Sequence, residues 1–451
     1  MKRGFTLSLS SVLLASVLLS GCGGNNGSQA GEPGNTPQQS AQTSGNSKTV
    51  TLKWWGGVPE ENGPKAVVDR WNAENTDIQV EYVRFVNDDP GNVKLETALL
   101  SNTDAPDLFV SYADAHLERR IKAGMVEPLE GLIESSGFDL EGIIGSENIT
   151  KVDGTIYNLP GSRDVKFIAF NKASLDAIGE SVPEPGWTWD DYAALAGKLT
   201  RDGQYGAFFT PTWEPIAFDV LNSAQPKDAY YAADGTSNFG HEAFRKGLEL
   251  QKKLIDGKNV MPYAEGVANK AQPQDELLNG RAASTYTSAY FVRYIKDDTA
   301  YPNRDYQIAF APMPQWTAGG NINNSKLNDM TSINAKSPNK EAAMKFLSWF
   351  LTEGNTEMLP GGRIPSSKKA DVAQVAEAIM GDKAQYFDKE SFVKLLNTEY
   401  TNTEITQTAG LTEMRKAFME EAEKYFMDAQ DLDTTVQTIK QRADEAIAAA
   451  K

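Results

Sequence analysis

Val50, Leu52 and Trp54 alternate with Thr51 and Lys53, the two-residue period of a half-buried strand. Gly56, Gly57 and Pro59 break it. Residues 64–72 switch to a helical period, with Val67, Val68 and Trp71 on one face. Ile78, Val80 and Tyr82 alternate with Gln79 and Glu81 and predict a second strand. A helix over 93–100 and a short buried strand at Leu108-Phe109-Val110 follow. Further on, 167–170 and 308–310 are predicted strands, and Thr188 with Asp191 forms a capping box ahead of a helix over 192–199. Ser337-Pro338 opens a helix in which Ala343, Phe346, Leu347 and Phe350 share a face, and 411–451 predicts two helices. Strand and helix taking turns predicts an α/β fold, parallel sheet with helices on both faces. So long an ordered stretch exceeds one ordinary core, which predicts two lobes.

The start of the chain follows another pattern. Lys2 and Arg3 precede an apolar run over 5–19, too short for a comfortable membrane span, and small residues come next. The ending Leu19-Ser20-Gly21-Cys22 resembles the lipobox of bacterial lipoproteins, in which the thiol is acylated and the chain is cut before the cysteine. Residues 1–21 are therefore expected to be a signal peptide, and Cys22 a lipidated amino terminus. Residues 23–48 lack Val, Ile, Leu, Met, Phe, Tyr and Trp, and cannot bury enough surface to fold. They predict a flexible tether with ends about 30 Å apart.

Charge and missing motifs narrow the function. Loss of Lys2 and Arg3 takes the formal net charge from −17 to −19. Such a surface repels phosphate backbones and anionic lipid, so no nucleic-acid partner is expected and membrane attachment falls to acyl chains. Cys22 is the single cysteine, so the fold stands without a disulfide. The two histidines, His116 and His241, form no ligand cluster, and GxSxG, P-loop and GxGxxG patterns are missing. No metal, no cofactor and no enzymatic chemistry are expected. Asp88-Asp89, Asp190-Asp191 and Asp297-Asp298 read as solvated surface, and 88–92 as a turn in preference to a calcium loop.

Taken in order, several segments resemble the extracellular solute-binding proteins of ATP-driven importers, the large group that includes maltose-binding protein. Leu52-Lys53-Trp54-Trp55 and the strand near Val83 look like its opening unit. Ala105-Pro106-Asp107-Leu108 with Gly124 and Pro128-Leu129, then Gly154, Tyr157, Leu159-Pro160 and Phe170-Asn171-Lys172, resemble its central signatures. Pro185-Gly186-Trp187-Thr188-Trp189, Gly280-Arg281-Ala282-Ala283, the helix after Ser337, and Gly362-Arg363-Ile364-Pro365 continue the likeness to about residue 450.

The resemblance implies a two-lobed periplasmic-binding-protein-like fold of the Venus flytrap kind, with a hinge and C-terminal helices. It assigns 22–48 to the lipidated cysteine and tether, 49–163 plus 282–335 to the N-terminal lobe, and 164–281 plus 336–451 to the C-terminal lobe. Hinge crossings are expected near 163–166, 282–284 and 334–339. Ligands of α/β sheets sit beyond the carboxyl ends of strands. That and loop aromatics suited to sugar faces nominate Trp55, Glu60, Tyr112, Asp114, Arg163, Trp213, Tyr286 and Trp316, with Tyr290 beside them. Trp54, Trp71, Trp187, Trp189 and Trp349 are expected to pack. Arg163 and Arg363 suit a carboxylate clamp, with a salt bridge as the plainer role.

The function implied is a monomeric, lipid-anchored receptor on the outer face of the membrane of a Gram-positive-type cell. It would capture a carbohydrate, an oligosaccharide before a monosaccharide, and deliver it to an ABC permease. A receptor for a polyol, phosphodiester or peptide, and a secreted enzyme acting on polysaccharide, stand as alternatives. Replacing Cys22 with Ala should release the chain from the cell surface in a fractionation assay, and retention of that variant would count against the anchor.

Overall fold

The computed structural model describes residues 49–450, except 102, 150, 212 and 214. The predicted signal peptide, Cys22 and the tether lie outside the described residues.

Strands β1 (Val50–Gly56), β2 (Ile78–Arg84), β3 (Leu108–Ser111), β4 (Leu159–Arg163), β9 (Leu327–Ile333) and β10 (Ile364–Pro365) form one six-stranded sheet, ordered β10-β4-β9-β3-β1-β2. Strands β5 (Lys166–Asn171), β6 (Ser284–Ser288) and β7 (Ile308–Pro312) form a second, ordered β6-β5-β7. Short strands β8 (Ile322–Asn323) and β11 (Thr401–Asn402) pair in parallel beside them.

The alternation along β1 decides its packing. Trp54 points to one face, where it meets Phe346 at 5.6 Å and Phe350 at 5.3 Å between ring centroids. Those rings come from the helix Lys340–Thr352, and Trp71 of the helix Pro64–Glu74 joins them at 5.3 Å from Phe346. Trp71 Nε1 donates to Ile78 O at 2.9 Å, so the indole is buried with its polar atom satisfied. Trp55 points to the opposite face, among Phe85, Leu95, Leu99 and Phe109. In the second sheet Ile168 and Phe170 face a large helical core that includes Phe218, Phe244 and Phe418. Phe167 and Ala169 face Phe310, Ile379 and Phe392 on the other side.

The predicted strands, the capping box at Thr188 and Asp191, and the two C-terminal helices Leu411–Phe426 and Leu432–Ala450 are all present. Three expectations change. The sheets are not wholly parallel. β1 pairs in parallel with β2 and β3, but β9 runs antiparallel to β3 and β4, and β5 runs antiparallel to β6 and β7. β9 is reached from the second sheet, so it enters the first from the opposite end. Residues 88–92 do not form an isolated turn. Asp88 accepts a hydrogen bond from Gly91 N at 2.8 Å and caps the helix Asp89–Leu99.

The third change concerns the return crossings. β6 and β7 lie in the second sheet, so the chain does not return at 282–284; it does so over 313–326, between β7 and β9. Nor does it leave the first sheet at 334–339. The helix Lys340–Thr352 buries its aromatic face against Trp54 and Trp71, and β10 still pairs with β4. The first crossing is at 164–165, between β4 and β5.

The crossings are fastened together. Asp164 N donates to Lys326 O at 3.0 Å, and Asn323 Nδ2 donates to Lys166 O at 3.0 Å. Val165, Leu359 and Ile364 share one apolar cluster with Ala289 and Val292. Gly362, at φ +78°, passes so close to Ala289 that a Cβ would lie 2.3 Å from its carbonyl oxygen.

Phe346→Ala should lower stability by about 3–5 kcal/mol, because it opens a cavity between Trp54 and Trp71. Denaturant unfolding measures it, and a loss below about 1 kcal/mol would show that this aromatic layer does not hold the first sheet's helices.

Candidate functional site

Both sheets turn strand ends toward one gap. β4 ends at Arg163 and β5 begins at Lys166. Three peptide steps separate these two residues, a span of at most about 11 Å. β6 runs antiparallel to β5 and brings Ser288 opposite Lys166.

On the second-sheet side lies a cavity of about 320 Å³. Its aromatic walls are Trp213, Tyr286 and Tyr290. Trp213 stands edge-on to both tyrosines, with centroids 6.2 Å from Tyr286 and 6.1 Å from Tyr290. Its polar part is Lys166, Asp219, Thr287, Ser288 and Asn324. Asp219 comes from the helix Ala217–Ala224, is only 7% exposed, and accepts from Asn324 Nδ2 at 3.0 Å. Lys166 Nζ lies 3.5 Å from Asp219 Oδ1 and 5.4 Å from the centre of the Tyr286 ring. Thr403 Oγ1 donates to Asn324 Oδ1 at 2.9 Å, so the segment after β11 braces the wall. Burial pushes the Tyr290 phenol above its ordinary value, so it stays protonated, a donor as well as an acceptor.

The first-sheet side carries a second polar group. Tyr112 follows β3, and its hydroxyl accepts from Gly57 N at 2.7 Å, just past β1. Arg363 lies 5.9 Å from the centre of the Tyr112 ring, and its Nε is 3.4 Å from Asp329 Oδ2. Burial and the nearby Asp329 carboxylate push the Tyr112 phenol up. Asp114 begins the helix Asp114–Lys122 and pairs with Lys326 at 2.6 Å. Burial works against its charge, but Lys326 and Arg415 outweigh that and hold its carboxyl below the ordinary value.

Of the nominated residues, Trp213 and Tyr286 line the cavity, with Tyr290. Tyr112 and Asp114 sit at the strand ends of the first sheet. Trp55 does not reach the gap: it is 8% exposed and packs in a core, because strand alternation turns it away from Trp54. Trp316 packs against the second sheet's helical core rather than lining the cavity. Glu60 is exposed in the short helical turn Glu60–Asn62, and Arg163 is exposed at the end of β4. The five tryptophans expected to pack do so; Trp187, for example, donates to Pro312 O at 2.7 Å. Sequence reasoning missed Asp219, Asn324 and Lys166 as lining residues. A signal existed for Asp219: it is the lone charge in the apolar run Ile216-Ala217-Phe218-Asp219-Val220-Leu221.

Two α/β sheets joined by a direct crossing at 164–165 and a longer return over 313–326, with an aromatic and hydroxyl-bearing cavity at the strand ends of the second, suit a solute receptor of the cleft-binding kind. Residues 57–357 match the model of the bacterial extracellular solute-binding protein family, and this chain belongs to that family. Among curated relatives, an uncharacterised lipoprotein of Streptomyces antibioticus is 24% identical over 66% of this chain and 65% of its own length. The arabinooligosaccharide-binding protein of Bacillus subtilis is 22% identical over 70% of this chain and 73% of its own. Among solved structures, a Listeria monocytogenes ABC substrate-binding protein in complex with cycloalternan superposes with a TM-score of 0.72. It is 17% identical and covers 89% of this chain and 99% of that one. These likenesses confirm the two-lobed fold.

The Asp114–Lys326 pair makes an acid-side prediction. A depressed folded-state value means that the pair's contribution is complete above the ordinary aspartate value of 3.8 and is lost as the pH falls through and below it. Between about pH 5 and pH 3, wild-type melting temperature should drop more than that of Asp114→Asn. Parallel curves would show that the pair adds nothing to stability.

Proposed function

We propose that this chain is a lipid-anchored extracellular receptor that captures a carbohydrate, an oligosaccharide before a monosaccharide, and hands it to an ABC permease. The observation that carries the reading is the cavity itself. Trp213, Tyr286 and Tyr290 surround a cluster of Lys166, Asp219 and Asn324. Sugar rings present C–H faces that suit aromatic planes and hydroxyls that suit planar polar groups. The names of relatives, arabinooligosaccharide-binding and cycloalternan-bound, support the same solute class.

Binding needs no covalent step. Glycoside hydrolysis takes two carboxylates across one bond, and among the described residues Asp219 is the carboxylate that lines this cavity, with Lys166 beside it. A ligand that touches both walls favours the closed arrangement by its differential affinity, and the hinge crossings supply the movement. Acylated Cys22 and the 23–48 tether would keep such a receptor next to its permease.

The test is melting of residues 23–451 against a panel of neutral and acidic saccharides, polyols, peptides and phosphodiesters. A saccharide at about 100 times its Kd should add about 2.7 kcal/mol of stability, and Trp213→Ala should abolish that shift. A shift with a peptide or phosphodiester but with no saccharide would overturn the carbohydrate reading. Conversion of a saccharide to products would overturn the receptor reading.

A further inference from the structure

The segment over 401–407 lies far along the chain from the cavity, yet hydrogen bonds fasten it there from end to end. At its start β11 pairs in parallel with β8, and Thr401 N donates to Asn321 O at 3.0 Å. At its end the Asp228 carboxylate accepts from Thr406 N and Thr406 Oγ1, each at 2.6 Å, and from Gln407 N at 3.0 Å. Between them Glu404 N donates to Pro226 O and Asp228 N to Glu404 O, both at 2.8 Å. Asp228 holds a left-handed backbone at φ +47°, which costs energy for a residue other than glycine, and these bonds keep it there. Burial works against its charge, but the bonds from Thr406 and Gln407 outweigh that and hold its carboxyl below the ordinary value.

An extended backbone sends alternate side chains to opposite sides. Here Thr403 and Ile405 are half-buried while their neighbours are exposed. Ile405 packs on the helical core of the second sheet. Thr403 Oγ1 donates to Asn324 Oδ1 at 2.9 Å, and Asn324 Nδ2 donates to Asp219 Oδ1 at 3.0 Å. Asp219 stands in the first turn of the helix Ala217–Ala224, and Pro226 and Asp228 follow that helix directly. The segment is therefore tied to both ends of the helix that carries the cavity carboxylate, through Asn324 at one end and through 226–228 at the other.

The backbone around Asn324 is held separately. Asn323 Nδ2 donates to Lys166 O at 3.0 Å, and Lys166 N donates to Ser325 Oγ at 3.2 Å. Ser325 in turn donates to Asn323 Oδ1. These bonds fix Asn324 against Lys166, but they do not set its side chain. The two ends of an amide are alike in shape, so hydrogen-bond partners decide which way it faces. The Asp219 carboxylate offers only acceptors and Thr403 supplies a proton, which leaves one orientation with both amide atoms satisfied.

We propose that Thr403 is a positioning residue for solute binding: it holds the Asn324 amide, which in turn holds Asp219 so that Oδ2 is kept as the acceptor for a solute hydroxyl. This rests on the carbohydrate reading above and adds to it a residue that touches no ligand. Asn324 Nδ2 at 3.0 Å and Lys166 Nζ at 3.5 Å both meet Asp219 Oδ1, and among the described residues no hydrogen bond occupies Oδ2. Without the Thr403 proton, Asn324 Oδ1 loses its donor and the amide is released. Lys166 then closes on the carboxylate as a charge-assisted pair and competes with the solute for it.

The test is calorimetric titration of residues 23–451 with maltotriose and with arabinotriose. Thr403→Val keeps the shape and removes the proton, so it should weaken binding of whichever saccharide binds by about fivefold, the worth of one ordinary hydrogen bond. Thr403→Ser should return the affinity to within about twofold of wild type, and so should Thr401→Val, whose hydroxyl meets Asn321 instead. In an Asn324→Ala background Thr403→Val should cost nothing further, because the hydroxyl acts through that amide. A second readout needs no ligand. The NMR signal of the Asn324 side-chain amide, assigned by its loss in Asn324→Ala, should move in Thr403→Val and stay in Thr403→Ser, with melting temperatures within a few degrees of wild type.

Equal affinity in wild type and Thr403→Val, or an equal loss in Thr401→Val, would overturn the positioning role and leave the carbohydrate receptor standing. A loss that persists in the Asn324→Ala background would overturn it as well, since the effect would then bypass the amide. Binding of neither saccharide would count against the carbohydrate reading, and the amide signal would then decide the tie by itself: no movement in Thr403→Val overturns it. If Thr403→Val does not fold, Thr403→Ala removes the same proton and is read in the same way.

Discussion

Asp164 and Val165 alone separate β4, in the first sheet, from β5, in the second. This brevity governs the rest of the structure. Two sheets linked so closely must present neighbouring strand ends to one another, and both here present the edge where ligands of α/β proteins sit. Val165 is buried among Ala289, Val292, Leu359 and Ile364, so the link is also an apolar seam. Asp164 N bonds to Lys326 O, tying the outgoing crossing to the returning one. The joint is thus held by backbone hydrogen bonds as well as by apolar packing.

The gap that results is polar in a matched way. Lys166 and Asp219 on one side, and Arg363 and Asp329 on the other, each bring opposite charges together in partly dehydrated surroundings. Burying either charge alone would be costly, and burying the pair is tolerable only where further hydrogen bonds complete it. Asn324 completes Asp219 from within the chain. Among the described residues no hydrogen bond completes Asp329 Oδ1. That asymmetry sets an aromatic cavity with braced polar groups apart from the buried Arg363–Asp329 pair of the first sheet.

The two sheets are held by separate aromatic layers. Trp54, Trp71, Phe346 and Phe350 clamp helices to the first, while Phe218, Phe239, Phe244 and Phe418 fill the core behind the second. Between these two layers a third apolar cluster joins Val165, Leu359 and Ile364 to Phe167 and Phe310, so the crossing is packed on both sides.

How much of this was legible depended on the range of the information. The periods along 50–56, 64–74 and 78–84 specified strand, helix and strand because burial on one face imprints itself on neighbours two or four residues apart. The capping box at Thr188 and Asp191, the C-terminal helices and the two-lobed α/β class came through for the same reason. Trp213 and Tyr286 were visible as aromatics at loop and strand positions. Trp55 looked equivalent, but its side of the sheet depends on what covers each face. The return at 313–326, the attachment of the helix Lys340–Thr352 to the first sheet, and the meeting of Lys166 with Asp219 and of Asp329 with Arg363 join residues dozens of positions apart. Local pattern determined which elements form and which of their faces are apolar. Tertiary structure alone decided which lobe each element joins and which charges face one another across the gap, because those outcomes follow from long-range packing that leaves no period in the chain.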